Sequence, residues 1–388
     1  MKKTLLLILG VVLICQGAGA QLYYQDSKNP DILRHTACTP VERRNIVIPD
    51  VAGYKVFKAD LHTHTIYSDG QVLPEIRVRE AWANGLDILA ITDHYENRKY
   101  ANDMLAFLKG HVPEGETHPK GVVSDKIDYN ISHTSAIGVA EKMGIFLIHG
   151  IEISRNPTEY GHFNALFTTD NNTINDKDPE VAIRNARAQG AIIMHNHPGW
   201  RRTSLETHAF EDHIYAEGLI DGIEVMNTND FYPKAIDRAK EYGFFMAGST
   251  DIHHTTAEVY GDQIRNLTMI LTNELSEESI REALLDHRTI AYSYGTLAGE
   301  EKWLRPLFEA CVEVEIVRTN DNGSQLVRLV NNSSLPFVLK TKGRRETILL
   351  PSTSQNYTVQ PKGLTLSVEN AWCGAENNLT ITLFPVQK

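Results

Sequence analysis

From residue 57 to about 295, short apolar runs of strand length alternate with segments whose apolar residues recur at helical spacing. The strand-like runs are 57–62, 87–92, 145–153, 162–168, 191–195, 222–226, 244–249 and 267–271. Between several of them the pattern predicts amphipathic helices, over 75–84, 181–188 and 279–287. Four helix-to-strand junctions carry glycine where a left-handed C-cap is wanted: Gly85, Gly144, Gly190 and Gly243. Asp178 followed by Pro179 reads as an N-cap with proline in the first helical turn. Strand, helix and strand repeated this often predicts a parallel α/β sheet, closed as a barrel or doubly wound.

After about residue 306 the helical period disappears. Runs at 312–317, 326–329, 337–339, 347–350 and 379–383 alternate or stay apolar, with Asn, Gly, Ser and Pro between them, as in a small β-sandwich over 306–388. Residues 100–135 are polar and irregular, as expected of a long loop or lid. The first twenty residues read as a signal peptide: Lys2 and Lys3, an apolar run from Leu5 to Ile14, then Gly17-Ala18-Gly19-Ala20. Export to the periplasm or beyond is therefore expected, ahead of a lipid anchor at Cys15, and 21–55 is a lead segment. No later stretch reaches the ~18–20 apolar residues of a membrane span.

Removing Lys2 and Lys3 takes the formal charge from −11 to −13. An acidic surface repels polyanions, so no stable nucleic-acid partner is expected. Cys38, Cys311 and Cys373 include no CxxC pair, which leaves one disulfide among them, or small buried thiols.

Polar clusters end or follow the predicted strands. They are Asp60-Leu61-His62-Thr63-His64 with Ser68-Asp69-Gly70, then Thr92-Asp93-His94, Gly150-Ile151-Glu152, Gly161-His162-Phe163-Asn164, Asn196-His197-Pro198 and Ser249-Thr250-Asp251-Ile252-His253. C-terminal strand ends of an α/β barrel meet at one mouth, which is where such folds place chemistry. His162 opens its strand and fits that rule less well. His62 and His64 lie two apart, so on a strand both rings share a face, which is half a metal site. Taken singly, an HxH pair is more often two ordinary histidines and an Asp after a strand is an N-cap. The recurrence at successive strand ends favours metal.

Together DLHTHTIYSDG, ITDH, GIE, NHP and STDIH resemble, in order, the motifs of the PHP (polymerase and histidinol phosphatase) superfamily over residues 56–300. GHFN and NHPGW are similar to the secreted bacterial phosphodiesterases of the Sb-PDE type, which also carry a C-terminal β-domain. The resemblance implies a distorted (β/α)7 barrel with two to three divalent ions. His62, His64, Glu152 and Asp251 would hold the first, Glu152, His162 and His197 the second, and Asp69, His94 and His253 the third. Glu152, Asp251 and Asp69 are the carboxylates expected to serve catalysis. His195 competes with His197, and the histidine before proline is preferred. His254 falls outside the pattern.

A nitrogen and oxygen ligand set without sulfur suits Mn, Zn or Fe. Clustered ions would lower the pKa of a bridging water and neutralise phosphoryl oxygens, so hydrolysis of a small organic or nucleotide-like phosphodiester is expected. Arg201 and Arg202 stand ready for a phosphate oxygen, or as solvated surface charges. A phosphomonoesterase or nucleotide phosphatase is the nearest rival. A non-catalytic periplasmic scaffold with structural metals is the rival from another class.

Overall fold

The computed structural model describes residues 23–35, 42–96, 128–154 and 160–385. The proposed leader, Cys15, Cys38 and most of the expected 100–135 loop lie outside them. Residues 1–42 form one unit, in which β1 (Tyr23–Gln25) pairs antiparallel with β2 (Leu33–His35).

In the second unit, from Arg43 onward, the chain runs β3 (Lys55–Asp60), α1 (Pro74–Ala83), β4 (Ile88–Ile91), α2 (Ile131–Met143), β5 (Phe146–Ile153) and β6 (His162–Leu166). It continues through α3 (Pro179–Ala188), β7 (Ile192–Asn196), α4 (Ala209–Ala216), β8 (Gly222–Asn227), β9 (Asp230–Phe231), α5 (Pro233–Tyr242), β10 (Phe245–Ser249), α6 (Thr256–Tyr260), β11 (Leu267–Thr272) and α7 (Glu277–Leu285). All eight expected strands are present. The four junction glycines all have positive φ, and Asp178 accepts from the Glu180 N–H at the start of α3. The end of the expected loop, from Ile131, is instead the first turns of α2.

The sheet order is β10-β8-β7-β6-β5-β4-β3-β11. Most pairs are parallel, but β6 runs antiparallel to both neighbours, and β11 runs antiparallel to β3. No α-helix separates β5 from β6 among the described residues, and a connection without a crossover joins antiparallel strands. The ring closes through threonine. The Met246 N–H donates to Thr289 Oγ1 at 3.2 Å, the Gly248 N–H donates to Thr268 Oγ1 at 3.0 Å, and that hydroxyl donates to the Gly248 carbonyl.

Alternation along the strands sorts the core. Ala59, Ile88, Ala90, Ile148, Met194, Phe245, Ala247 and Ile270 form one buried cluster within the ring. Leu89, Ile91 and Leu147 point the other way, onto Val78, Ala81, Ala136 and Ala140 of α1 and α2. Ile193, Ile223 and Val225 meet Ala182, Ile183 and Ala186 of α3.

Beyond α7 come β12 (Thr289–Ser293), β13 (Thr296–Gly299) and α8 (Glu301–Cys311). Then follow β14 (Val312–Thr319), β15 (Gln325–Asn331), β16 (Phe337–Lys340), β17 (Thr347–Leu349), β18 (Ser354–Val359), β19 (Leu364–Gly374) and β20 (Asn377–Leu383). One antiparallel sheet is β14-β15-β18. The other, containing β16, β17, β19 and β20, continues the barrel sheet because β19 pairs with β13 at Ala371 and Trp372. Helix α8 runs through Pro306, its buried face of Leu304, Leu307, Phe308 and Cys311 outweighing one lost backbone bond. Cys311 and Cys373 are buried and free. No helix among the described residues is long and apolar enough to cross a membrane.

Candidate metal centre

β3 ends at Asp60, but the chain stays extended beyond it, held by a parallel bridge between Thr63 and Ile252. That extension keeps His62 and His64 on one face, with their Nε2 atoms 3.1 Å apart. The other ring nitrogen of His62 lies 2.9 Å from Glu224 Oε1. A carboxylate there accepts a hydrogen bond from the Nδ1–H, which leaves Nε2 facing inward for a metal. His253 is arranged alike: its Nδ1–H donates to the Asp251 carbonyl at 2.8 Å, and Nε2 lies 3.1 Å from Asp69 Oδ1.

Glu152, on β5, is fully buried in the middle. Its Oε1 lies 3.6, 3.4 and 3.5 Å from His62 Nε2, His162 Nδ1 and His197 Nε2. Its Oε2 lies 3.5 Å from His64 Nε2 and 2.7 Å from His94 Nδ1. Asp251, held at φ 51°, places Oδ1 at 3.0 Å from His64 Nε2 and 3.3 Å from His62 Nε2. The side chains fall into four groups whose ligand atoms lie within 4.8 Å of one another. These are His62, His64 and Glu152; His62, His197 and Asp251; Glu152, His162 and His197; and His64, Asp69, His94 and His253.

The charges inside oppose their own burial. Burial favours the neutral form of Glu152, but the charges of His94 and His62 beside it, with His162 and His197 close to its oxygens, hold it well below the carboxylate range. Burial likewise opposes charge on Asp69, yet the hydrogen bond from His253 and the charges of His94 and His64 bring it down to about 2. His94 is pushed up to about 9, Glu152 and Asp69 outweighing its burial. His64 goes the other way, down to about 4, through burial and the neighbouring His253 and His94.

These residues fit divalent ions. Among the described residues neither Glu152 nor Asp251 pairs with a lysine or arginine, although Glu152 is wholly buried. Glu152 Oε2 and His162 Nδ1 are buried without an aligned hydrogen bond. Buried carboxylates ringed by imidazoles, with no lysine or arginine paired to them among the described residues, fit a divalent ion that would displace the imidazole protons.

The PHP domain model matches residues 60–238. A two-domain protein from Bacteroides vulgatus, described as containing a predicted PHP-like metal-dependent phosphoesterase, is 34% identical over 88% of this chain and 98% of its own, with a TM-score of 0.78. The chain belongs to the PHP family. A putative metal-dependent phosphoesterase from Bifidobacterium adolescentis is 16% identical, covers 60% of this chain and 97% of its own, and has a TM-score of 0.39. No curated protein matches.

All nine residues singled out in the PHP motifs meet in the centre, and His64 stands also with Asp69, His94 and His253. His162 reaches it because β6 is antiparallel, so the start of that strand lies at the mouth where parallel strands end. His195 does not enter. Its Nε2 lies 3.1 Å from Glu211 and its Nδ1 faces the Tyr215 hydroxyl. Two residues apart would share a face on a strand, but β7 stops at Asn196 and His197 turns at φ 24°. His254 lies outside the centre, 3.9 Å from Glu258.

The two arginines separate. Arg202 forks onto Glu211 at 2.8 and 2.7 Å, so it is engaged within the protein. Arg201 lies over the Trp200 ring, 4.2 Å from its centroid.

The sequence assigns no role to the residues behind the ligands, although Asp93 and Asn196 stand in its polar clusters. Glu224 accepts from the His197 N–H at 2.7 Å besides holding His62, and a lone Glu inside the apolar run Gly222–Asn227 was its signal. Asn196 donates to Glu152 Oε1 at 2.9 Å. Asp93 accepts from the Thr65 N–H at 2.6 Å and from the hydroxyls of Thr65 and Ser68. Buried Arg77 donates to the carbonyls of His64 at 3.0 Å, Ile252 at 3.3 Å and His254 at 2.9 Å, tying two ligand loops together.

Proposed function

We propose that the chain is a metal-dependent phosphodiesterase for small organic or nucleotide-like diesters. His62, His64, Glu152 and Asp251 would hold one ion, Glu152, His162 and His197 a second, and Asp69, His94 and His253 a third. The mixed donor set suits Mn, Zn or Fe. When bound, such ions lower the pKa of a water and neutralise phosphoryl oxygens during in-line attack. The chain's own part is to orient. Glu224 and the Asp251 carbonyl fix the ring tautomers of His62 and His253, and Arg201 offers a guanidinium to a non-bridging oxygen.

The preference for a diester rests on one observation, the pairing of Arg202 with Glu211. A phosphomonoester carries about one more negative charge near neutral pH than a diester. Of Arg201 and Arg202, only Arg201 has no ion pair among the described residues. Hydrolysis of bis-p-nitrophenyl phosphate and p-nitrophenyl phosphate by the metal-loaded protein tests this. Diester turnover should be the faster, and Arg201→Ala should weaken monoester cleavage more. Monoester turnover orders of magnitude faster would replace the reading with a phosphatase. The leader-like residues 1–20 support action outside the cytoplasm, which cell fractionation checks.

A further inference from the structure

We infer that Trp200 is a platform on which the substrate seats a flat aromatic ester group, aryl or nucleobase, with Arg201 as its cationic edge. The inference rests on the diesterase reading above and names the class of diester. The Trp200 ring centroid lies 5.0 Å from that of His162 and 5.5 Å from that of His197. Those are two members of one proposed ligand group, with Glu152 the third. Even so, Trp200 is 38% exposed. A tryptophan that only filled space would be covered; this one presents apolar ring area beside the place where phosphate would bind.

The turn that carries it is built rigidly. The Trp200 N–H donates to the His197 carbonyl at 2.9 Å. His197 and Arg201 both have positive φ, 24° and 54°, although neither is glycine. Strain of that kind persists where the surroundings over-determine it, and it gathers at functional sites. The surroundings here are Arg202, forked onto buried Glu211, and Tyr232, whose ring would lie 2.7 Å from a Cβ on Gly199. Between those anchors the ring and the guanidinium stacked on it have little freedom.

Arg201 also borders a recess of about 290 Å³ lined by Thr203, Ser204, Glu206 and Thr207 among others. That is near the lower end of small-molecule pockets. It offers space and hydroxyl groups next to Arg201, and its other guanidinium, Arg202, is engaged by Glu211. A ring-bearing ester suits this better than a second phosphate.

Three diesters with one leaving group test the inference: the p-nitrophenyl esters of methyl phosphate, phenyl phosphate and thymidine 5′-phosphate. Base stacking on an aromatic side chain is worth roughly five- to a hundredfold in affinity. Trp200→Ala should therefore lower kcat/KM on the phenyl or thymidine ester about tenfold more than on the methyl ester. Trp200→Phe should restore much of that difference. Metal content of each variant, by elemental analysis, must match that of the parent for the comparison to count, so Trp200→Leu serves if the alanine variant loses metal. Dependence confined to one ring-bearing ester identifies which ring is seated. An equal loss on all three esters that spares the ring-free methyl 2,2,2-trifluoroethyl phosphate identifies the p-nitrophenyl ring as the one seated; an equal loss shared by that ester, or no loss at all, would overturn the platform. If the parent cleaves no diester, the diesterase reading falls. Calorimetry then decides the platform alone: thymidine 5′-phosphate must bind about tenfold more tightly than inorganic phosphate, and Trp200→Leu must abolish that gap.

Discussion

Two buried clusters of imidazole and carboxylate lie on opposite faces of β7, and only one needs something from outside. His195 and Asn196 are adjacent, so their side chains point to opposite sides of the strand. His195 meets Glu211, which takes two hydrogen bonds from Arg202 and one from the His208 N–H. That cluster contains its own cation. On the other face Asn196 donates to Glu152, whose remaining neighbours are histidines. The composition of the two is similar, but among the described residues the second has no lysine or arginine paired to its carboxylates, and its imidazole nitrogens converge. A metal centre is told from a structural ion-pair network by this shortfall, not by the number of histidines.

The largest test of that contrast is Glu152→Gln. The amide keeps the shape but removes the charge that the surrounding imidazoles and ions share. Losing even a residue behind a ligand costs about 10–100-fold in metal affinity or activity. Loss of Glu152 should exceed about a hundredfold, with metal content falling in parallel. Full activity in this variant would dissolve the distinction between the two clusters.

A paired substitution sharpens it. Glu224→Gln should weaken metal binding by about 10–100-fold while leaving the metal-free fold close to that of the parent. Glu211→Ala should do the reverse. Removing one partner of a buried ion pair costs about 3–5 kcal/mol, because Arg202 is left buried and uncompensated. Thermal melting should register that loss, and metal titration should not. If Glu211→Ala stripped the metal and spared the melt, the two clusters would be one.

The contrast also marks what the sequence made legible. The eight barrel strands showed because each is an apolar run closed by glycine or a polar cluster. The nine ligand candidates showed because they follow those runs directly. What stayed hidden depends on pairing between distant segments. Nothing local says that β6 runs antiparallel, that Thr268 and Thr289 close the ring, or that Arg202 finds Glu211. Strands β18 and β19 escaped notice because polar side chains interrupt their apolar pattern, as in Ser354–Val359, where only Val359 is buried. Helix α8 was masked by Pro306. His162 was the residue the barrel rule fitted least, and the reversed strand direction that accounts for it had no signal in the local pattern.

The smallest expected effect concerns pH, and it separates the metal-free from the metal-loaded centre. Burial alone would lower His94, but Glu152 and Asp69 raise it from 6.5 to about 9 in the metal-free protein. A group raised on folding stabilises the fold fully below its unfolded pKa, and that contribution is lost as pH climbs through the folded value. The metal-free protein should therefore lose stability progressively between about pH 6.5 and 9. A metal ligand must be neutral, so an ion entering this group displaces the His94 proton, and affinity should rise with pH until about 9. Loaded protein has already given up that proton and should hold its melting temperature across the same interval. Melting curves of both forms at pH 6.5, 7.5 and 8.5 provide one check. Titration calorimetry in two buffers of different ionisation heat provides another, by counting protons released near pH 7.5. Binding without proton release, or parallel melting trends in the two forms, would mean that His94 is not held charged by Glu152 and Asp69 in the metal-free protein.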